Sequence, residues 1–295
     1  MIEHAKIDLK KQGGKSGRIT IKHNHYVLER FQTIWQHHQR TFGTWRLVVW
    51  LANILPSWQR LPIIGPDYEQ FYLDLRDPCC VSLLYKGFAE WAEVAVISDE
   101  IPQDGVGMDI GANTGFWSRC LLSLRPGVLI YAFEPSKSTF GLLSLNCLPF
   151  PRIKPVCIAL SDEIGEAHFG TQNSSDLRYL GGGGELVNVW TLDEWILANG
   201  ISRLDFVKID VEGAEAKVVR GAIYSIGKYR PVVLFEWIPE NAARFGNDNM
   251  VDILDIFHEL NYSVKRVQAN GSLTIDLSME KDVTNNYLAT PRMPR

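Results

Sequence analysis

Five stretches of this 295-residue chain are predominantly apolar: Val106–Ile110, Val128–Phe133, Ile153–Leu160, Leu204–Val211 and Pro231–Trp237. A strand with one wet face alternates apolar and polar residues; a strand without one must be covered on both sides, as parallel strands of an α/β sheet are. Between the runs lie segments with helical spacing: Phe116–Leu124, stopped by Pro126-Gly127, then Ser136–Leu145 and Ala214–Ile226. Right-handed crossovers between such strands produce a doubly wound sheet. Short strands at Glu166–Gly170 and Val187–Val189, a short helix at Leu192–Ala198 and a helix at Val251–Leu260 complete the middle. Tyr262–Val267, Ser272–Leu277 and Asn286–Thr290 are read as the closing strands.

Upstream the pattern differs. Residues 1–25 are rich in Lys, Gly and His and are predicted to be mobile; residues 26–55 have helical spacing, broken near Gly43. Pro62 and Pro66 mark a linker. Phe71–Leu75 alternates like a strand, and residues 81–97 read as a helix. The expected division is a basic, partly helical extension (1–66), a lead-in strand and helix packed on the main domain (67–104), and the α/β domain (105–295). Residues 1–60 carry ten Lys/Arg against three Asp/Glu, so the remaining chain is acidic. An acidic body argues against a phosphate-tracking enzyme, and no nucleic acid partner is expected. Cys79, Cys80, Cys120, Cys147 and Cys157 lack the spacing of a metal site or disulfide framework. Without an apolar leader or an apolar run long enough to cross a bilayer, the expected location is the cytoplasm.

The turn Asp109-Ile110-Gly111-Ala112-Asn113-Thr114-Gly115 follows the first strand of the α/β domain and opens a helix. Ligands of open α/β sheets bind there, outside the carboxyl ends of the strands. Gly111 is expected to let backbone approach a ligand, Gly115 to let the helix pack tightly on the sheet, and Asn113 tolerates left-handed backbone. The turn is not the G-x-G-x-x-G of a pyrophosphate site. An acid at Asp109 suits a positively charged ligand instead. Glu134, 25 positions later at the end of the second strand, stands where a carboxylate grips ribose hydroxyls. Asp162, preceded by Ser161, is expected to accept from an adenine amino group. The fourth run is the most distinctive: Lys208, Asp210, Glu212 and Glu215 crowd an apolar frame, with Glu236 ending the next strand. Alternation is expected to put Lys208, Asp210 and Glu212 on one face, where Lys208 is expected to keep Asp210 ionised. Glu215 has a simpler reading, a favourable acid in a helix's first turn.

Together Asp-Ile-Gly-Ala-Asn-Thr-Gly, Ala-Phe-Glu-Pro, Ala-Leu-Ser-Asp, Thr-Leu-Asp-Glu and Lys-Ile-Asp-Val-Glu-Gly-Ala-Glu resemble the FkbM-type methyltransferases. The resemblance runs from about Phe71 to Pro291. It implies a class I methyltransferase (Rossmann-like) fold of seven strands with the last antiparallel, and S-adenosyl-L-methionine as methyl donor. It places Asp109, Gly111, Ala112, Asn113, Gly115, Glu134, Ser161, Asp162 and Asp210 around that donor. O-methylation of a sugar, glycolipid or natural product is the expected reaction. Asp210 is the first candidate for the base, followed by Glu212, Glu236 and His168, with Lys208 supporting. No metal site is predicted; the alternative is a divalent cation in the acid cluster that orients the hydroxyl.

The rival functions are a catalytically silent binding protein with this fold and a methyltransferase acting on nitrogen. Retention of Asp109, Glu134 and the fourth-strand acids speaks against the first. Against nitrogen methylation of nucleic acid, Asp-Val-Glu-Gly replaces the Asn/Asp-Pro-Pro-aromatic loop such enzymes use. The expected partner is a small-molecule or glycan acceptor. For residues 45–58, rich in Trp, packing on the main domain or on a second copy in a homodimer is preferred. The alternative is peripheral contact with the inner face of a membrane. Ser174–Gly184, with four consecutive glycines, is a candidate lid.

Overall fold

The computed structural model describes residues 20–21, 44–67, 69–86, 91–171, 178–180, 184–243, 249–268, 270–275 and 285–292. The helix expected over 26–43, the histidines His23, His25, His37 and His38, and most of the glycine-rich Ser174–Gly184 loop lie outside these residues.

The first described strands, β1 (Thr20–Ile21), β2 (Leu61–Ile64) and β3 (Gln70–Leu73), form an antiparallel sheet in that order. The linker reading of Pro62 is therefore corrected: it lies within a strand, opposite Tyr72. Tyr72 turns its N–H and C=O away from Pro62 to the Asn146 side-chain amide, at 2.7 and 3.0 Å, so Pro62 need not supply a ladder hydrogen bond to it. Leu61, Ile63, Phe71 and Leu73 are fully buried, and they share one core with Val48 and Ala52 of helix Thr44–Ile54 and with Phe116, Trp117 and Leu121. That helix leaves Leu47, Trp50 and Ile54 exposed. No described helix is long and apolar enough to cross a membrane. The helix expected over 81–97 is described as Pro78–Lys86 and Trp91–Glu100, residues 87–90 lying outside the described residues.

Arg119 ties this part of the chain to the α/β domain from a fully buried position. Its guanidinium donates through Nε to Asp67 Oδ2 at 2.6 Å, through a second nitrogen to Asp67 Oδ1, and to the Gln70 and Asn146 carbonyls at 2.7 and 3.2 Å. The Phe71 and Phe150 rings lie 5.1 and 4.5 Å from its charge centre.

The chain then lays down β4 (Val106–Ile110), β5 (Leu129–Phe133) and β6 (Ile153–Val156). A separate four-stranded sheet follows, from β7 (Ala159–Leu160), β8 (Gly165–Thr171), β9 (Arg178–Leu180) and β10 (Glu185–Trp190), in the order β7-β10-β8-β9. The main sheet resumes with β11 (Phe206–Ile209), β12 (Val232–Trp237), β13 (Tyr262–Val267), β14 (Leu273–Thr274) and β15 (Asn285–Pro291). Its order is β14-β13-β15-β12-β11-β4-β5-β6. The five strands from β6 to β12 run parallel, and β15 lies antiparallel between β12 and β13. This is the expected class I methyltransferase sheet with its antiparallel last strand; the two-residue β14 adds an eighth at the edge.

Two expected elements are broken. The run Ile153–Leu160 splits, because β6 is the sheet edge and its exit is unconstrained; Ala159–Leu160 pairs instead with Val189–Trp190. Ala214–Ile226 is two helices, Glu215–Arg220 and Ile223–Tyr229. At the break, Gly221 lies so close to Ser161 that a Cβ would fall 2.0 Å from its carbonyl oxygen.

Candidate active site

The turn after β4 lies beside the end of β11. Gly111 has φ +80°, and a Cβ there would fall 1.7 Å from the Asp210 carbonyl oxygen. Glycine is therefore demanded by the neighbouring chain. Its amide and that of Ala112 both donate to the Phe133 carbonyl, at 3.1 and 2.8 Å, so the turn is braced on β5. Gly115 has φ +86°, and a Cβ would meet Leu143 and Cys147 of helix Lys137–Cys147. The close packing expected of Gly115 is thus helix on helix, not helix on sheet. Asn113 adopts φ +49°, as its tolerance of left-handed backbone allows.

Asp109 is fully buried. Its Oδ2 accepts the Ser118 hydroxyl at 2.6 Å, and its Oδ1 lies 3.5 Å from Lys208 Nζ. Burial pushes its carboxyl above the ordinary range, against the pull of Lys208 and Ser118. Among the described residues, Asn113 Oδ1 is buried without a hydrogen-bond donor, and the buried Asp109 Oδ1 has only the long contact with Lys208. Asn113 Nδ2 lies 3.9 Å from Cys79 Sγ, which brings the helix Pro78–Lys86 to the rim of this turn.

Glu134 follows β5, is buried, and accepts from the Ser136 N–H at 2.9 Å. Ser161 Oγ bonds Asp162 Oδ1 at 3.1 Å, and Asp162 Oδ2 accepts from Arg220 Nε at 3.1 Å. Asp162 thus comes after β7 of the small sheet, not at the end of a main-sheet strand, and both its oxygens are engaged.

Lys208 stands in register with Asp109 on β4 and with Leu234 on β12. Its ammonium reaches Asp210 Oδ2 at 2.9 Å and so joins the two acids across the strand ends. Asp210, Glu212 and Glu236 form a cluster in which one carboxylate oxygen of each residue lies within 4.8 Å of the others. Glu212 arrives through left-handed backbone, φ +59°, rather than by strand alternation, and Asn241 Nδ2 holds its Oε2 at 2.7 Å. Burial drives the Glu236 carboxyl well above its ordinary range; the charges of Asp210, Glu212 and Glu215 and a hydrogen bond with Asp210 drive it further. His168, on β8, is exposed with Nδ1 3.4 Å from the Gly184 carbonyl, and it is not part of the cluster. Sequence reasoning missed Ser118 and Asn241. Ser118 carried a readable signal, a hydroxyl three residues past Gly115; Asn241 carried none.

A buried acceptor without a donor costs about 1–3 kcal/mol. One at Asn113 Oδ1 in the glycine turn, with the Asp109 carboxylate beneath it, fits the charged ammonium and hydroxyls of S-adenosylmethionine. Strand order, antiparallel last strand and acid-lined turn together define a class I methyltransferase fold. Within that class, residues 109–264 match the methyltransferase FkbM domain, and the chain belongs to this family. Family and fold imply S-adenosylmethionine as methyl donor.

The chain is similar to the 2-O-methyltransferase NoeI of Sinorhizobium fredii, 28% identical over 148 residues that make up 43% of this chain and 61% of that protein. It is similar to the hexuronic acid methyltransferase AglP of Haloferax volcanii, 28% identical over 142 residues, 43% of this chain and 54% of the relative. The chain thus spans less than two thirds of either relative. A crystal structure of methyltransferase FkbM from Methylobacillus flagellatus aligns with 63% of this chain and 44% of its own, at 16% identity and TM-score 0.42.

Proposed function

We propose that this protein transfers the methyl group of S-adenosylmethionine to a hydroxyl of a sugar or sugar-bearing acceptor. The observation that carries the reading is the carboxylate cluster at the mouths of β11 and β12, beside the turn in which Asn113 Oδ1 is buried without a donor. Two relatives named for methylation at a 2-O position and of a hexuronic acid support a sugar as acceptor.

Asp109, Asn113 and Glu134 would hold the donor molecule, with Gly111, Ala112 and Gly115 shaping its seat and Ser161 and Asp162 at its far side. The donor supplies an electrophilic methyl carbon, whose bond to sulfur breaks as the acceptor oxygen bonds to it. The chain's own task is the proton. Asp210, paired with Lys208 on one side and Glu236 on the other, accepts it from the acceptor hydroxyl as the oxygen attacks. Glu236 shares that proton, and Glu212 orients the hydroxyl. Holding the reactants in line supplies on the order of 7–11 kcal/mol of such a barrier, and base catalysis adds roughly 10²–10⁴-fold.

Calorimetry with S-adenosylhomocysteine, then methyl transfer from labelled donor to a panel of sugar acceptors with and without chelator, tests the reading. Binding of the nucleoside without transfer to any hydroxyl acceptor would leave a silent binding protein. Loss of transfer on chelation would assign the cluster to a cation.

A further inference from the structure

The proposed chemistry makes no use of Glu215, although it is the most deeply buried acid of the fourth-strand motif, 1% exposed. A helix-dipole role does not account for its contacts. Its Oε1 accepts two backbone N–H groups, from Val211 at 3.1 Å and from Gly213 at 3.0 Å. These amides flank Glu212, whose φ of +59° and the φ of +111° at Gly213 describe a tight left-handed turn. Left-handed backbone is costly for a non-glycine residue, and the amides it turns inward need an acceptor.

We propose that Glu215 is a positioning residue: its Oε1 clamps the 210–213 loop in the left-handed turn that carries the Asp210 and Glu212 carboxylates to Glu236. The proposal rests on the methyl-transfer reading for what those carboxylates do, but the clamp itself can be tested without turnover. What matters is the acceptor oxygen at its reach, not the charge behind it.

Two variants separate these. Glu215→Gln keeps an sp² oxygen at the same reach and removes the charge. Glu215→Asp keeps the charge and draws the oxygen back by one methylene. Losing two hydrogen bonds of about 0.5–1.5 kcal/mol each converts to roughly tenfold or more. The expected result is kcat within about threefold of wild type for Glu215→Gln and at least about tenfold lower for Glu215→Asp. The affinity for S-adenosylhomocysteine, held on the β4 side, should stay within about threefold in both. Hydrogen exchange at the Val211 and Gly213 amides gives a readout independent of methyl transfer. Both should stay protected in Glu215→Gln and exchange at least about tenfold faster in Glu215→Asp. The reverse order of the variants, in rate or in exchange, would overturn the clamp. So would a parallel loss of nucleoside affinity in both, which would mark a general structural role. A wild-type protein with protected amides and no methyl transfer would instead sink the functional reading and leave the clamp standing.

Discussion

Arg119 and the carboxylates around Asp210 place charge in the interior in opposite ways. The Arg119 guanidinium meets a carboxylate on one edge and two carbonyls on the other, between two aromatic rings. Asp210, Glu212 and Glu236 crowd together, with Lys208 bonded to Asp210 and the Asn241 amide to Glu212, and Glu215 Oε2 has no hydrogen-bond partner among the described residues. Where a buried charge serves only to join two parts of a chain, it is fully satisfied. Where like charges are left in contact, their cost must be offset by something other than folding, and strongly perturbed carboxyls in a cleft are the expected mark of a reactive site.

The contrast can be broken at either end. Asp210→Asn should lower kcat by roughly 10²–10⁴-fold without lowering the melting temperature, because it removes one of several repelling charges. Labelled methyl transfer and thermal unfolding measure both, and full turnover in the variant would remove Asp210 from the mechanism. Asp67→Ala should do the opposite. It leaves Arg119 buried without its counter-charge, at a cost of about 3–5 kcal/mol in denaturant unfolding. A loss below about 1 kcal/mol would show that the link is not holding the two sheets together.

Glu215 gives a third and smaller effect, with a definite sign. Burial raises its carboxyl from 4.5 to about 7. Between those values the folded protein binds more protons than the unfolded chain, so this group's contribution to stability falls as pH climbs from about 4.5 to about 7. The full cost, up to about 3 kcal/mol, stands above pH 7. Glu215→Gln should therefore unfold at higher denaturant than wild type at pH 8, and the gap should close below pH 4.5. A gap that does not change with pH would contradict the burial of an ionising group. The smallest effect belongs to Asn241→Ala. Freeing Glu212 from its 2.7 Å hydrogen bond should reduce kcat only several-fold, the worth of one charge-assisted bond of about 1.5–3 kcal/mol partly replaced by water. Kinetics at saturating donor would show it.

The parallel strands, the glycine turn and the acids at the strand mouths were legible in the sequence because each is local: an apolar run, a spacing, a charge inside a frame. What escaped depends on contacts between distant segments. Pro62 reads as a linker until Tyr72 is seen turning its polar groups toward Asn146. Gly221 reads as an ordinary helix residue until the Ser161 carbonyl is found against it. Gly111 reads as room for a ligand, and only the fold adds that the Asp210 carbonyl also demands a glycine there. Glu215 satisfied the helix-dipole rule so well that its position in sequence gave no hint of the two amides it accepts.

Gly213 carries a consequence for selectivity. A Cβ there would lie 2.4 Å from the Asn241 carbonyl oxygen, while the Asn241 side chain grips Glu212. The loop bearing Asp210 and Glu212 and the short helix Pro239–Ala242 are therefore packed as one block, which bears on selectivity if those acids act as proposed. An acceptor that presses wrongly on that helix would drag the acids out of line with the hydroxyl it presents. It would be discriminated by slow turnover rather than by weak docking, so a screen that ranks acceptors by affinity alone would misjudge them.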